Sequence, residues 1–100
     1  NASSVTQVLI LNFGEKEAGY AINLRDSLKS INCRTEFYPD PVKIKKQMSY
    51  ADAKKIPYII LAGDEEMKNN KVICKKMVSG EQKILSPDEL LIYFRSELNC

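Results

Sequence analysis

Pro57-Tyr58-Ile59-Ile60-Leu61-Ala62-Gly63 is a short apolar run, bounded by Lys54-Lys55 before it and Asp64 after it. A strand with one wet face alternates apolar and polar residues. An unbroken apolar run implies burial on both faces, as in a parallel sheet covered by helices. A buried helix segment is the rival, but the run is short and its ends carry proline and glycine. Pro57 has no N–H to give a ladder, so it suits the first position of such a strand. The stretch therefore reads as a central strand, and the rest of the chain as what covers and extends it.

Working upstream, Pro39-Asp40-Pro41 predicts a helix start. Pro41 pushes Asp40 out of the helical region, the backbone an N-cap requires, and itself takes the first helical position. The helix is expected to run to about Lys55, with Ile44, Met48 and Ala51 as its buried stripe. Cys33–Tyr38 precedes it as a strand whose polar face, Arg34, Glu36 and Tyr38, suits a sheet edge. Earlier still, Ala18, Ala21, Leu24, Leu28 and Ile31 recur at helical spacing, after a strand at Val5–Leu11. Downstream, Asp64–Lys68 reads as a helical turn and Asn69-Asn70 as a tight turn. Lys71–Met77 and Glu81–Leu85, joined through Ser79-Gly80, read as a β-hairpin. Ser86-Pro87-Asp88-Glu89 combines a capping box with proline at the first helical position and opens a terminal helix. The predicted fold is α/β: one domain over residues 5–98, with a five-stranded mixed sheet. Three parallel βα units and a C-terminal hairpin form it, with helices on both faces. Asn1–Ser4 read as a disordered lead-in or expression remnant.

Composition excludes much chemistry. Histidine is absent, which removes Ser-His-Asp and Cys-His nucleophilic sites and histidine-based metal motifs. The four glycines assemble neither GxGxxG nor a P-loop. No catalytic, cofactor or metal site is expected in the chain. No apolar run approaches the ~20 residues that span a bilayer. Cys33, Cys74 and Cys100 are odd in number and far apart, so they read as free structural thiols in a reducing compartment. The net charge of +2 hides an asymmetry: Lys43 to Lys83 carries ten lysines against five acids, the remainder five basic residues against eight acids. A basic half suggests an anionic partner, with a solvated surface as the competing account.

RNA needs spaced cations for its phosphates and flat apolar faces for its bases. Lys43, Lys46, Gln47, Tyr50 and Lys54 fall together on one flank of the predicted 41–55 helix. Tyr38 and Tyr58 are candidate stacking platforms, or core tyrosines with satisfied hydroxyls. Asp64-Glu65-Glu66 follow the central strand, where open α/β sheets bind ligands, and equally suit a helix N-terminus. Lys75 and Lys76 in the hairpin are open to either reading.

With those residues in view, the chain resembles the C-terminal anticodon-binding domain of class II aminoacyl-tRNA synthetases. The resemblance rests on Val8–Gly14, Phe37–Asp40, Lys43–Lys54, Ile56–Glu66 and Ser79–Gln82, and spans roughly residues 6–98. Lys45-Lys46-Gln47 and Ser79-Gly80-Glu81-Gln82 favour the histidyl branch over the threonyl, prolyl and glycyl ones. The resemblance implies a domain that grips the anticodon arm of tRNA, with Glu66 and Lys75 at positions used on anticodon bases. It implies a cytoplasmic, homodimeric parent that joins histidine to tRNA with ATP and Mg²⁺ through a catalytic domain absent here. Neither DNA nor a membrane is an implied partner. Asn32 stands where the family often has glycine, and asparagine tolerates the same left-handed backbone. Two other readings share the pattern: a flavodoxin-like small-ligand domain, and a synthetase-derived interaction module that has lost RNA binding.

Overall fold

The computed structural model describes residues 5–98, and Asn1–Ser4, Asn99 and Cys100 lie outside them. The elements run β1 (Val8–Ile10), α1 (Glu15–Ser30), β2 (Thr35–Phe37), α2 (Ile44–Ala53) and β3 (Tyr58–Leu61). They continue with α3 (Asp64–Lys68), β4 (Val72–Lys76), β5 (Gln82–Leu85) and α4 (Pro87–Leu98). The strands form one sheet in the order β2-β1-β3-β4-β5. β1 pairs parallel with β2 and β3, and β4 pairs antiparallel with β3 and β5. The expected mixed sheet is observed, with β3 at its centre.

β3 carries side chains into two cores. Tyr58 and Ile60 face α1 and α4, where Ala21, Leu24, Leu28, Leu90 and Phe94 are buried. Ile59 joins Leu9, Leu11, Ala51 and Ile56 beneath α2. This double burial is the physical reason the β3 sequence does not alternate. The two helices on the first face reach β4 and β5, whereas α2 is alone on the second. Register places Ile73 and Ile84 on the α2 side, since Ile73 pairs with Leu61 and with Ile84. With no helix among the described residues over that face of β5, Ile84 is 70% exposed.

Local signals account for most element ends. Ser86 and Glu89 form the expected capping box: the Ser86 N–H donates to Glu89 Oε1 at 2.8 Å, and the Glu89 N–H donates to Ser86 Oγ at 3.1 Å. Asn32 has φ 68°, the left-handed backbone expected of it. Gly80, at φ 76°, supplies the backbone that turns β4 into β5.

α2 departs from expectation at both ends. It begins at Ile44 with Lys43 at the N-cap, not at Asp40-Pro41. A helix begun at Pro41 would commit the Val42 carbonyl to the Lys46 amide. Instead Gln47 Nε2 donates to that carbonyl at 2.8 Å, and the Lys46 N–H turns to Lys43 O. At its other end the helix closes through Lys55, whose φ is 58°. The Ile56 N–H reaches Ala51 O and the Lys55 N–H reaches Asp52 O, a Schellman closure that drives Ile56 into the core. No glycine announces this stop, so sequence overran it.

The cysteines also differ from expectation. Cys74 is a buried free thiol, pushed up to about 12 by burial. Cys33 is disulfide-bonded and not free. Oxidation at Cys33 removes the basis for reading a reducing compartment from cysteine usage.

Candidate nucleic-acid interface

α2 crosses the sheet with one flank toward β2 and the other toward β4. Lys43, Lys46 and Lys54 stand exposed along the β2 flank. None of the three enters an ion pair among the described residues. Their charges are therefore not neutralised by the protein, as phosphate contacts require.

Two rings sit beside them. Tyr38 and Tyr50 meet edge to face, with centroids 5.4 Å apart and planes at 75°. The Tyr50 hydroxyl donates to Glu36 Oε1 at 3.0 Å, and this bond to a carboxylate holds its pKa above the ordinary value. Thr6 Oγ1 donates to Glu36 Oε2. Both rings are only half-buried, so each keeps surface for a base.

Gln47 does not belong to this surface. Its side chain is 0% exposed. Gln47 Oε1 accepts the Asn12 N–H at 2.7 Å, while Nε2 donates to the carbonyls of Asn12 and Val42 at 2.9 and 2.8 Å. Asn12 passes the connection on, its Nδ2 donating to Tyr38 O at 3.0 Å and its Oδ1 accepting the Gly14 N–H at 2.9 Å. Gln47 thus pins α2 to the exits of β1 and β2, and so positions the lysine flank without touching a ligand. A helical wheel puts Gln47 beside both the lysines and the core stripe, so only packing distinguishes its side.

Tyr58 is likewise a core residue, 2% exposed. Its ring packs edge-on against Phe94 and Tyr93, at 5.1 and 6.1 Å between centroids. Burial, helped by Tyr93 and Glu97, raises its hydroxyl well above the ordinary range.

Lys75 and Glu66 lie apart from the lysine flank. Lys75 pairs with Ile59 and Gln82, which puts it on the α2 side of β4. It faces the other flank of α2, where Ile44, Met48, Asp52 and Met77 border a shallow groove. Glu66 stands at the end of β3 on α3, where its Oε1 accepts the Gly63 N–H at 2.9 Å. A Cβ on Gly63 would lie 3.0 Å from that oxygen, so glycine leaves room for the carboxylate. Asp64 anchors the same turn to α1 through Lys16 at 2.7 Å, with Lys68 at 3.1 Å. Those two cations hold the Asp64 carboxyl below its ordinary value. Glu66 is therefore the cap of α3.

Sequence reasoning passed over Glu36 and Asn12. Glu36 shares the outward face of β2 with Tyr38, but nothing local shows that Tyr50 and Thr6 converge on it. Asn12 is a lone polar residue after an apolar strand, and its partners are 26 and 35 residues away.

A mixed five-stranded sheet with a cationic helix flank and half-exposed rings defines a candidate RNA-binding α/β domain. The family model for the anticodon binding domain matches residues 7–97, and the chain belongs to that family. Among curated proteins it is similar to the histidine–tRNA ligase of Phocaeicola vulgatus, 44% identical over 86 residues, which are 86% of this chain and 19% of that protein. The enzyme of the same name from Christiangramia forsetii is 51% identical over 80 residues, 80% of this chain and 18% of that one. The chain thus spans about a fifth of the length of these relatives. Among solved structures, apo S. aureus histidyl-tRNA synthetase superposes with TM-score 0.82 at 30% identity, covering 92% of this chain and 24% of that one. Histidyl-tRNA synthetase from Nostoc sp. PCC 7120 shares the fold at TM-score 0.89 and 20% identity, over 94% of this chain and 23% of that one. The flavodoxin-like reading is set aside by the family match.

Proposed function

We propose that this chain is the tRNA anticodon-arm-binding domain of a histidine–tRNA ligase. Its task is to position tRNA(His) for ATP-dependent histidylation by a catalytic domain outside this chain. The observation that carries the reading is the unneutralised row Lys43, Lys46 and Lys54 beside the rings of Tyr38 and Tyr50, on a domain of the anticodon-binding family. Lysines supply salt-dependent, sequence-independent attraction to phosphates, and the rings offer faces to unpaired bases. Glu66 and Lys75 are assigned to base contacts on the strength of the resemblance. In this reading the parent enzyme is a homodimer, uses ATP and Mg²⁺ in its catalytic domain, and works in the cytoplasm, where charged tRNA is consumed.

The test is a titration of the chain with a histidine-tRNA anticodon arm and a mismatched arm at one fixed salt concentration. The matched arm is expected to bind more tightly. Glu66→Gln replaces one acceptor oxygen by a donor, and is expected to cost ~1–3 kcal/mol on the matched arm while relaxing discrimination at one base. Equal affinities for both arms would defeat the reading. An unmoved affinity ratio in Glu66→Gln would leave Glu66 as a helix cap alone.

A further inference from the structure

The sequence holds three cysteines, Cys33, Cys74 and Cys100. Cys33 is disulfide-bonded, whereas Cys74 is a buried free thiol. Elimination leaves Cys100, which lies outside the described residues, as the cysteine that completes the bond. The described fold agrees with that pairing. Leu98, the last residue of α4, packs against the core cluster that contains Cys33. Cys100 follows Leu98 by two residues, a reach of at most about 7 Å.

The two ends of such a bond belong to different parts of the fold. Cys33 is 1% exposed, between α1 and β2. Its N–H donates to Leu28 O at 3.0 Å, and its carbonyl accepts the Thr35 hydroxyl at 3.1 Å. It leads into β2, an edge strand of three residues that pairs with β1 alone. The last turn of α4 is tied to β4 by the Lys76–Glu97 ion pair, both of whose side chains are about a third exposed. Such pairs contribute little, so a covalent link beside them decides how firmly that turn is held.

We propose that Cys33 and Cys100 form a reversible thiol–disulfide clasp that fastens the end of α4 to the head of β2. The inference rests on the cysteines and is independent of RNA binding. Disulfides in the cytoplasm, where the parent is proposed to work, are characteristically transient and redox-sensing. The exchange partner is a low-molecular-weight thiol of the glutathione class. Burial shields the Cys33 sulfur, so the small thiolate attacks the Cys100 sulfur, forming a mixed disulfide there. Cys33 departs as a thiolate and takes up a proton. A second small thiolate then attacks the mixed disulfide, releasing the Cys100 thiol and the oxidised small disulfide. Two small thiols are oxidised as one protein disulfide is reduced. The reverse sequence, driven by the small disulfide, closes the clasp.

The intact chain is equilibrated without denaturant at graded ratios of reduced to oxidised glutathione. It is then alkylated in denaturant, and the adducts are counted by mass. One adduct is expected at the oxidising end and three at the reducing end, with Cys33 and Cys100 in one crosslinked peptide. Cys74→Ser is expected to keep the crosslink. The oxidised form is expected to melt higher than the reduced form by roughly 10 °C or more. Cys33→Ser and Cys100→Ser are each expected to melt at one temperature whatever the ratio. Amide exchange of Arg95–Leu98 is expected to quicken on reduction. Three adducts at every ratio, a crosslink to Cys74 or a crosslink between two copies would each overturn the clasp. A bond that survives a large excess of reduced glutathione would overturn its reversibility. A bond that forms without moving the melting temperature or the exchange of Arg95–Leu98 would overturn its role in holding α4.

Discussion

Gln47 is the residue on which the candidate interface depends most without belonging to it. It satisfies one N–H and two carbonyls of the main chain inside the protein. Replacement by leucine keeps the volume but leaves those groups without partners, and each buried unsatisfied group costs about 1–3 kcal/mol. Because the three share one relaxation, Gln47→Leu is expected to destabilise the domain by about 2–4 kcal/mol in chemical denaturation. A loss below about 1 kcal/mol would mean that the network is not closed as described. Identity alone did not reveal this role. A glutamine between lysines on a helical wheel reads as surface, and its placement depends on a main chain 35 residues away.

Among the elements, β3 and α2 contrast in how they are specified. β3 is dictated by its own composition, and Ile60 at 0% exposure lies in the core shared with α1 and α4. Ile60→Ala is expected to cost ~2–5 kcal/mol from lost transfer energy and the cavity left behind. A small loss in a denaturant titration would contradict burial of that strand on both faces. α2 takes its stripe and its lysine flank from helical spacing, but its ends from tertiary partners: Gln47 at the start and the buried Ile56 at the stop. If Lys43, Lys46 and Lys54 neutralise phosphates, each alanine substitution is expected to weaken all RNA arms alike and to lower the salt slope by roughly 0.7–0.9. An unchanged slope in the triple variant would return that flank to ordinary solvated surface.

In the whole molecule, exposed ion pairs fasten the helices at several points. Lys76 bridges β4 to Glu97 on α4 at 3.0 Å, and Asp64 ties α3 to α1. The Lys76 bond, with the Tyr58 hydroxyl, lowers the Glu97 carboxyl, and the Ser86 cap lowers Glu89. A carboxyl lowered by folding contributes stability that is complete above its ordinary value, 4.5 for glutamate. That contribution is lost as pH falls through the lowered folded value. The melting temperature is therefore expected to fall as pH drops below about 4.5, and Glu97→Gln to flatten part of that fall. Identical pH profiles for wild type and variant would remove Glu97 from the acid response.

The sequence by itself determined the α/β class, the central strand, the capping box of α4, the left-handed Asn32 and the resemblance that the family match confirms. These follow from hydrophobic period and local backbone chemistry, which act between near neighbours in the chain. Only the tertiary structure decided that Gln47 and Tyr58 turn inward and that Glu36 gathers Tyr50 and Thr6. It also separated Lys75 from the lysine flank. Those outcomes depend on which strands lie side by side and which helix face they leave open, and such contacts join residues far apart in sequence.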